Sequence, residues 1–157
     1  MNPSASLNKM AISATLHCLT GCAIGEILGM VIGTAFGWNN VQTVVLAIAL
    51  AFLFGYTLSA LPLLRGGIPA RKAFKLVLLA DTLSIATMEI VDNLVVLVIP
   101  GAMEATLDTM LFWFSLLVSL IAAFIVAVPV NRFLLAKNKG HAITHQYHHA
   151  HHEDHSH

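Results

Sequence analysis

Residues 109–135 read TMLFWFSLLVSLIAAFIVAVPVNRFLL, a run whose single charged residue, Arg132, falls near its end. About 20 consecutive apolar residues in a helix cross roughly 30 Å of hydrocarbon, so this stretch is long enough to span a bilayer. Working back along the chain, three further runs have the same character. Helix 1 is expected from about Met10 to Phe36, helix 2 from about Val41 to Leu64 and helix 3 from about Ala73 to Ile99, with helix 4 from about Thr109 to Leu135. The breaks between them carry turn chemistry: Gly37-Trp38-Asn39-Asn40, then Arg65-Gly66-Gly67-Ile68-Pro69, then Pro100-Gly101 leading to Asp108. The composition agrees. Of 157 residues, 57% are hydrophobic and only 10% are charged, against roughly 25% charged in soluble domains, and the mean hydropathy is +0.80. The expectation is an all-α integral membrane protein: a four-helix transmembrane domain over 1–136 and a His-rich cytoplasmic tail over 137–157.

Charge fixes an orientation and removes one class of partner. Eight Lys+Arg balance eight Asp+Glu, so no basic excess favours nucleic acid, and none is expected as a partner. Arg65, Arg71, Lys72 and Lys75 flank the second loop, Lys9 precedes helix 1, and Arg132, Lys137 and Lys139 close helix 4, whereas the first and third loops have no Lys or Arg. The positive-inside rule places both termini and the middle loop in the cytoplasm, as an even number of spans requires. Cys18 and Cys22 lie inside an apolar run and read as free thiols. Leu19-Thr20-Gly21-Cys22 imitates a lipoprotein cleavage site, but the apolar run continues through Ile24, Ile27, Leu28, Val31 and Ile32, where a signal peptide would have ended.

Several residues are costly to keep in a bilayer. Gly21, Gly25, Gly29, Gly33 and Gly37 recur every fourth position, a stripe that lets another backbone approach closely and that predicts contact with a neighbouring helix or a homo-oligomer. Beside it run Cys18, Cys22, Glu26 and Met30, with His17 about 100° from Cys18. Soft sulfur ligands at i, i+4 suit copper(I) or zinc, although cysteine and methionine are also ordinary packing residues. A carboxylate such as Glu26 deep in a span costs about 2.5–3.5 kcal/mol even on the lenient insertion scale, so it needs a partner, a proton or an ion. On helix 3, Asp81, Ile85, Met88, Glu89 and Asp92 fall within roughly 100° of one face. With no Arg or Lys inside the other spans, these acids carry protons or face water and cations. By the 1.5 Å rise, His17 and Cys18 lie roughly 10 Å in, near Asp81, while Glu26 lies roughly 24 Å in, near Glu89 and Asp92. If helices 1 and 3 are neighbours, an inner His/Cys/Asp cluster and an outer Glu/Glu/Asp cluster form a two-station path.

The C-terminal segment holds His141, His145, His148, His149, His151, His152, His155 and His157, with Glu153 and Asp154 among them. Neutral imidazole binds zinc, copper and nickel, and His141, His145, His148, His149 and His152 would give one metal-binding face if helical.

The segments His17-Cys18-Leu19-Thr20-Gly21-Cys22-Ala23-Ile24-Gly25-Glu26, Ser84-Ile85-Ala86-Thr87-Met88-Glu89-Ile90-Val91-Asp92-Asn93, Pro129-Val130-Asn131-Arg132 and Gly140-His141-Ala142 resemble those of a family of small bacterial four-helix membrane proteins catalogued as a domain of unknown function. The resemblance implies a four-helix fold, a bacterial cytoplasmic membrane and an association with copper or other heavy-metal handling, and it brings no established activity. The leading expectation is therefore a transition-metal cation binder or transporter, with copper or zinc as the ion. The tail, through His141, His145 and His148, captures metal, and His17, Cys18, Cys22, Glu26, Asp81, Glu89 and Asp92 form the path. One alternative is a membrane-embedded metalloenzyme with Glu26, Asp81 or Glu89 as general base, which the shortage of intramembrane histidine weakens. The other is a non-catalytic subunit whose tail senses metal or pH.

Overall fold

A computed structural model of the chain describes the backbone of residues 3–152, and all regular structure among them is helical. Helix α1 spans Pro3–Phe36, α2 Asn40–Arg65, α3 Ala70–Val98 and α4 Met110–His152, with one 3-10 turn at Ala102–Glu104 between α3 and α4. The four expected helices are present with two extensions. Helix α1 begins before Lys9, which therefore sits within the helix, and α4 continues through residue 136 into the histidine-bearing segment. Its interior Pro129 does not end it.

The turns are built by local chemistry that the sequence carries. Gly37, at φ 64°, ends α1 in a Schellman motif: its N–H donates to the Thr34 carbonyl at 3.2 Å, and the Trp38 N–H reaches back to Gly33 at 2.8 Å. Asn39 then caps α2 reciprocally. Its Oδ1 accepts the Gln42 N–H at 2.9 Å, and Gln42 Oε1 accepts the Asn39 N–H at 3.3 Å. At the start of α4 the Thr109 hydroxyl accepts the Phe112 N–H at 3.3 Å.

The helices form an antiparallel bundle in which α1 adjoins α2, α2 adjoins α3, α3 adjoins α4 and α4 returns to α1, while α1 and α3 also touch across the centre. The tightest pair is α1 with α2. A Cβ placed on Gly21 would lie 2.6 Å from the Gly55 Cα, one on Gly25 would lie 2.3 Å from the Ala51 backbone N, and one on Gly29 would lie 2.6 Å from the Ala47 Cα. Gly33 meets the Thr43 side chain in the same register. The expected contact of this stripe with a neighbouring helix is made within the chain: Gly21, Gly25, Gly29 and Gly33 pack against α2, and Gly37 serves the turn.

Small and polar side chains fill the interior, and large apolar ones point outward. Ala51, Ala123, Ala127, Thr15, Ser119, Cys18 and Cys22 are buried, while Val45, Leu53, Phe114 and Ile125 are exposed. That arrangement is the reverse of a water-soluble core and suits a lipid surround, where close packing of small residues and interhelical hydrogen bonds hold helices together. One such bond joins α4 to α1: Asn131 Nδ2 donates to Thr15 Oγ1 at 2.8 Å, and Thr15 donates in turn to the Ala11 carbonyl at 2.8 Å.

Among the described residues, three helices are long and apolar enough to cross a membrane: Ser4–Phe36, Asn40–Leu61 and Met110–Lys137. Four were expected. Helix α3, at 29 residues and about 43 Å, is long enough, but Asp81, Glu89 and Asp92 leave it short of the apolar composition of the others.

Two substitutions check this packing. Gly25→Leu should abolish recovery of monodisperse folded protein in detergent, whereas Gly37→Ala, in open space, should cost only about 1–2 kcal/mol for its left-handed backbone, read by thermal unfolding. Asn131→Ala should lower stability by about 0.6–1.7 kcal/mol, since Thr15 keeps its own carbonyl partner.

Candidate functional site

Because α1 and α3 meet across the centre of the bundle, the polar faces of both point inward. Helix α1 presents Cys18, Cys22 and Glu26 at successive turns. Helix α3 presents Asp81, Ser84, Glu89 and Asp92. They meet as a series of pairs along the bundle axis.

Nearest the α2–α3 loop, the Cys18 thiol lies 3.8 Å from the Ser59 hydroxyl of α2, and the Asp81 carboxyl adjoins the same hydroxyl. At the next level the Cys22 thiol adjoins Glu89. Beyond it the Glu26 and Asp92 carboxyls face one another, and the Ser119 hydroxyl of α4 adjoins Asp92. Glu89 and Asp92 are only 5% and 6% exposed. Even so, Glu26 Oε1, Glu89 Oε1, Asp92 Oδ1 and Ser84 Oγ are buried without a hydrogen-bond partner among the described residues. An unpaired buried oxygen of this kind costs about 1–3 kcal/mol, and more when charged.

Those oxygens border a space. A cavity of about 390 Å³ runs from the end of the bundle that carries the α1–α2 turn and the 3-10 turn down to Glu26, Glu89 and Asp92. Trp38, Asn40, Glu104 and Thr106 line its exposed mouth, and Met30, Val44, Ile48, Val96, Phe112 and Leu116 line its walls. Beside the mouth, the Thr106 hydroxyl donates to Asp108 and holds that exposed carboxyl below its usual range, so it stays anionic. On the other side of the pairs, towards the α2–α3 loop, Ala11, Thr15, Ala127 and Asn131 are packed and buried.

Set against the sequence expectation, Glu26, Glu89 and Asp92 all line the interior with Cys22 beside Glu89, but as neighbouring pairs rather than one cluster. Towards the α2–α3 loop, Cys18 and Asp81 both adjoin Ser59, without His17. That imidazole is exposed on the outer face of α1, its Nδ1 2.8 Å from the Ser13 carbonyl of its own helix. The 100° offset from Cys18 carries it away from the bundle. His141, His145 and His148 lie on the α4 backbone, but their side chains lie outside the described residues, as do Glu153, Asp154, His155 and His157 altogether. Among the described residues no three His, Cys, Asp or Glu side chains form a group that could hold a metal ion. The acids and thiols of the interior come in twos.

Sequence reasoning missed Ser59, Ser119, the Thr15–Asn131 bond and the cavity. A signal for Ser59 was present: Thr43, Ala47, Ala51, Gly55 and Ser59 form a small-residue stripe on α2 with the same four-residue period as the glycines of α1. The cavity had no local signal, because four segments distant in sequence build it.

A family model, described as a domain of unknown function, matches residues 7–140. The chain belongs to the DUF4396 family. The match takes in Cys18, Cys22, Glu26, Asp81, Glu89 and Asp92, and it stops immediately before His141. No curated protein and no solved structure matches the chain.

The burial of both cysteines sets a check on this geometry. In detergent at neutral pH a maleimide should label neither Cys18 nor Cys22 of the folded protein on a minutes timescale and both after denaturation in SDS; rapid labelling of Cys22 in the folded state would contradict its placement against Glu89.

Proposed function

We propose that this DUF4396 protein is an integral membrane protein that binds and passes a transition-metal cation, with zinc or copper(I) as the ion. In this reading α3 is the fourth span. Its three acids are turned into the bundle, and Leu83, Ile90, Leu94 and Leu97 make its outer surface apolar. The basic α2–α3 loop and both chain ends lie on the cytoplasmic side of a bacterial inner membrane, by the positive-inside rule.

The observation that carries the proposal is the succession of Cys18–Asp81, Cys22–Glu89 and Glu26–Asp92 along the contact of α1 and α3, joined at one end to the cavity. A closed set of four ligands stores a metal, whereas conduction needs sites favourable enough to load and weak enough to leave. Pairs of ligands, completed by water, meet that need. Thiols suit soft ions and carboxylates harder ones, and zinc is compatible with both, as copper(I) is with the thiols. The His-rich segment, from His141 onward, gathers metal at the cytoplasmic surface.

Reconstituted in vesicles with an internal metal-sensitive dye, the wild-type chain should carry zinc or copper(I). Glu89→Gln and Asp92→Asn should each remove most of that flux at unchanged thermal stability, and undiminished flux in both would overturn the proposal. Truncation after Gly140 should leave flux at saturating metal intact and raise the metal concentration needed for half-maximal flux.

A further inference from the structure

The cavity is built for more than a metal ion. A cation surrounded by six waters, at about 30 Å³ of liquid volume per water, needs about 180 Å³, and the cavity holds about 390 Å³. Met30, Val44, Ile48, Val96, Phe112 and Leu116 make much of its wall apolar, between the polar side chains of Thr43, Asn93 and Ser115. Pockets of roughly 300–1,000 Å³ with apolar walls and a few convergent polar groups are the usual form of a site for a small organic molecule.

The charged groups of the lining share one sign, and three of them converge at one end. Glu26, Glu89 and Asp92 form the floor, no Lys or Arg lines the cavity among the described residues, and Glu104 adds a further carboxyl at the mouth. Glu89 and Asp92 are more than nine-tenths buried, and each holds an oxygen with no partner. A neutral molecule would leave those oxygens without a counter-charge, and an anion would be repelled. The complementary ligand has a cationic head for the floor and an apolar body for the walls. Phe112 adds an aromatic ring to the lining, which attracts an alkylammonium group as well as packing against its body.

We infer that the cavity is a binding site for a small organic ammonium ion, its charged nitrogen at Glu89 and Asp92 and its hydrocarbon part between Val44, Val96 and Phe112. The inference shares with the preceding section the claim that these acids face a cation, and it assigns the site a second chemical class of ligand that competes with metal there. The ammonium ion reaches the site from the α1–α2 turn side.

The test is calorimetric titration of the full chain in lipid nanodiscs with phenethylammonium, using 2-phenylethanol as an uncharged partner of nearly the same shape. Saturable binding of the ammonium ion and none of the alcohol is expected, with affinity falling about tenfold or more in Glu89→Gln. Val44→Phe, which fills the cavity wall and leaves every acid in place, should weaken phenethylammonium by a similar factor while zinc binding stays unchanged. This second variant keeps the test decisive if Glu89→Gln fails to fold. Absence of saturable binding, equal binding of the alcohol, or indifference to Val44→Phe would overturn the inference. Zinc flux that persists when phenethylammonium fails to bind would sink this inference alone, and ammonium binding without any metal flux would sink the metal reading alone.

Discussion

The close approach of α1 and α2 is the contact on which the rest of the structure depends. In lipid, apolar side chains gain nothing by leaving the surrounding hydrocarbon for one another, so helices associate through dense packing and hydrogen bonds. Gly21, Gly25 and Gly29 remove the side chains that would hold the two backbones apart, and Gly55, Ala51 and Ala47 receive them. With α2 seated on the glycine row, the adjacent row of α1 is turned towards the bundle centre. That row carries Cys18, Cys22 and Glu26. The glycines therefore set where the sulfur and carboxyl groups of α1 lie.

The interior that results is unusual for its unpaired oxygen atoms. Helix α3 buries Glu89 and Asp92 opposite Cys22 and Glu26, with no basic side chain beside them among the described residues. Such groups are expensive wherever water is excluded, and in membrane helices they mark pathways for ions or ligands. The cavity explains how the cost is met, because it gives the acids a route to the outside at one end. Towards the opposite end, among the described residues, small side chains and the Thr15–Asn131 hydrogen bond lie packed and buried.

Family membership adds a boundary to this picture. The matched region, residues 7–140, contains the helical bundle with its paired groups and ends before the histidines. The bundle supplies the buried acids and thiols, and α4 continues through the histidine segment beyond the matched region.

What the sequence by itself determined was the helical, membrane-suited character of the chain, the positions of its turns and the faces on which its chemistry lies. These are local properties: run length without charge, Gly and Asn at the turn between α1 and α2, and residues repeating at the helical period. The acids of α3 were legible for the same reason, as was the match in depth between Glu26 and Asp92. Tertiary structure alone decided that the glycine stripe serves α2 of the same chain, that α1 and α3 touch across the centre, and that His17 faces away from Cys18. It also decided that Ser59 and Ser119 join the acids and that a cavity ends on them. Each of these depends on which helix lies beside which, and a periodic pattern states which face is sticky without naming its neighbour. The stripe of Thr43, Ala47, Ala51, Gly55 and Ser59 was visible, but only the antiparallel register, with Gly25 against Ala51, turned two matching stripes into a contact and the space beside it into a site.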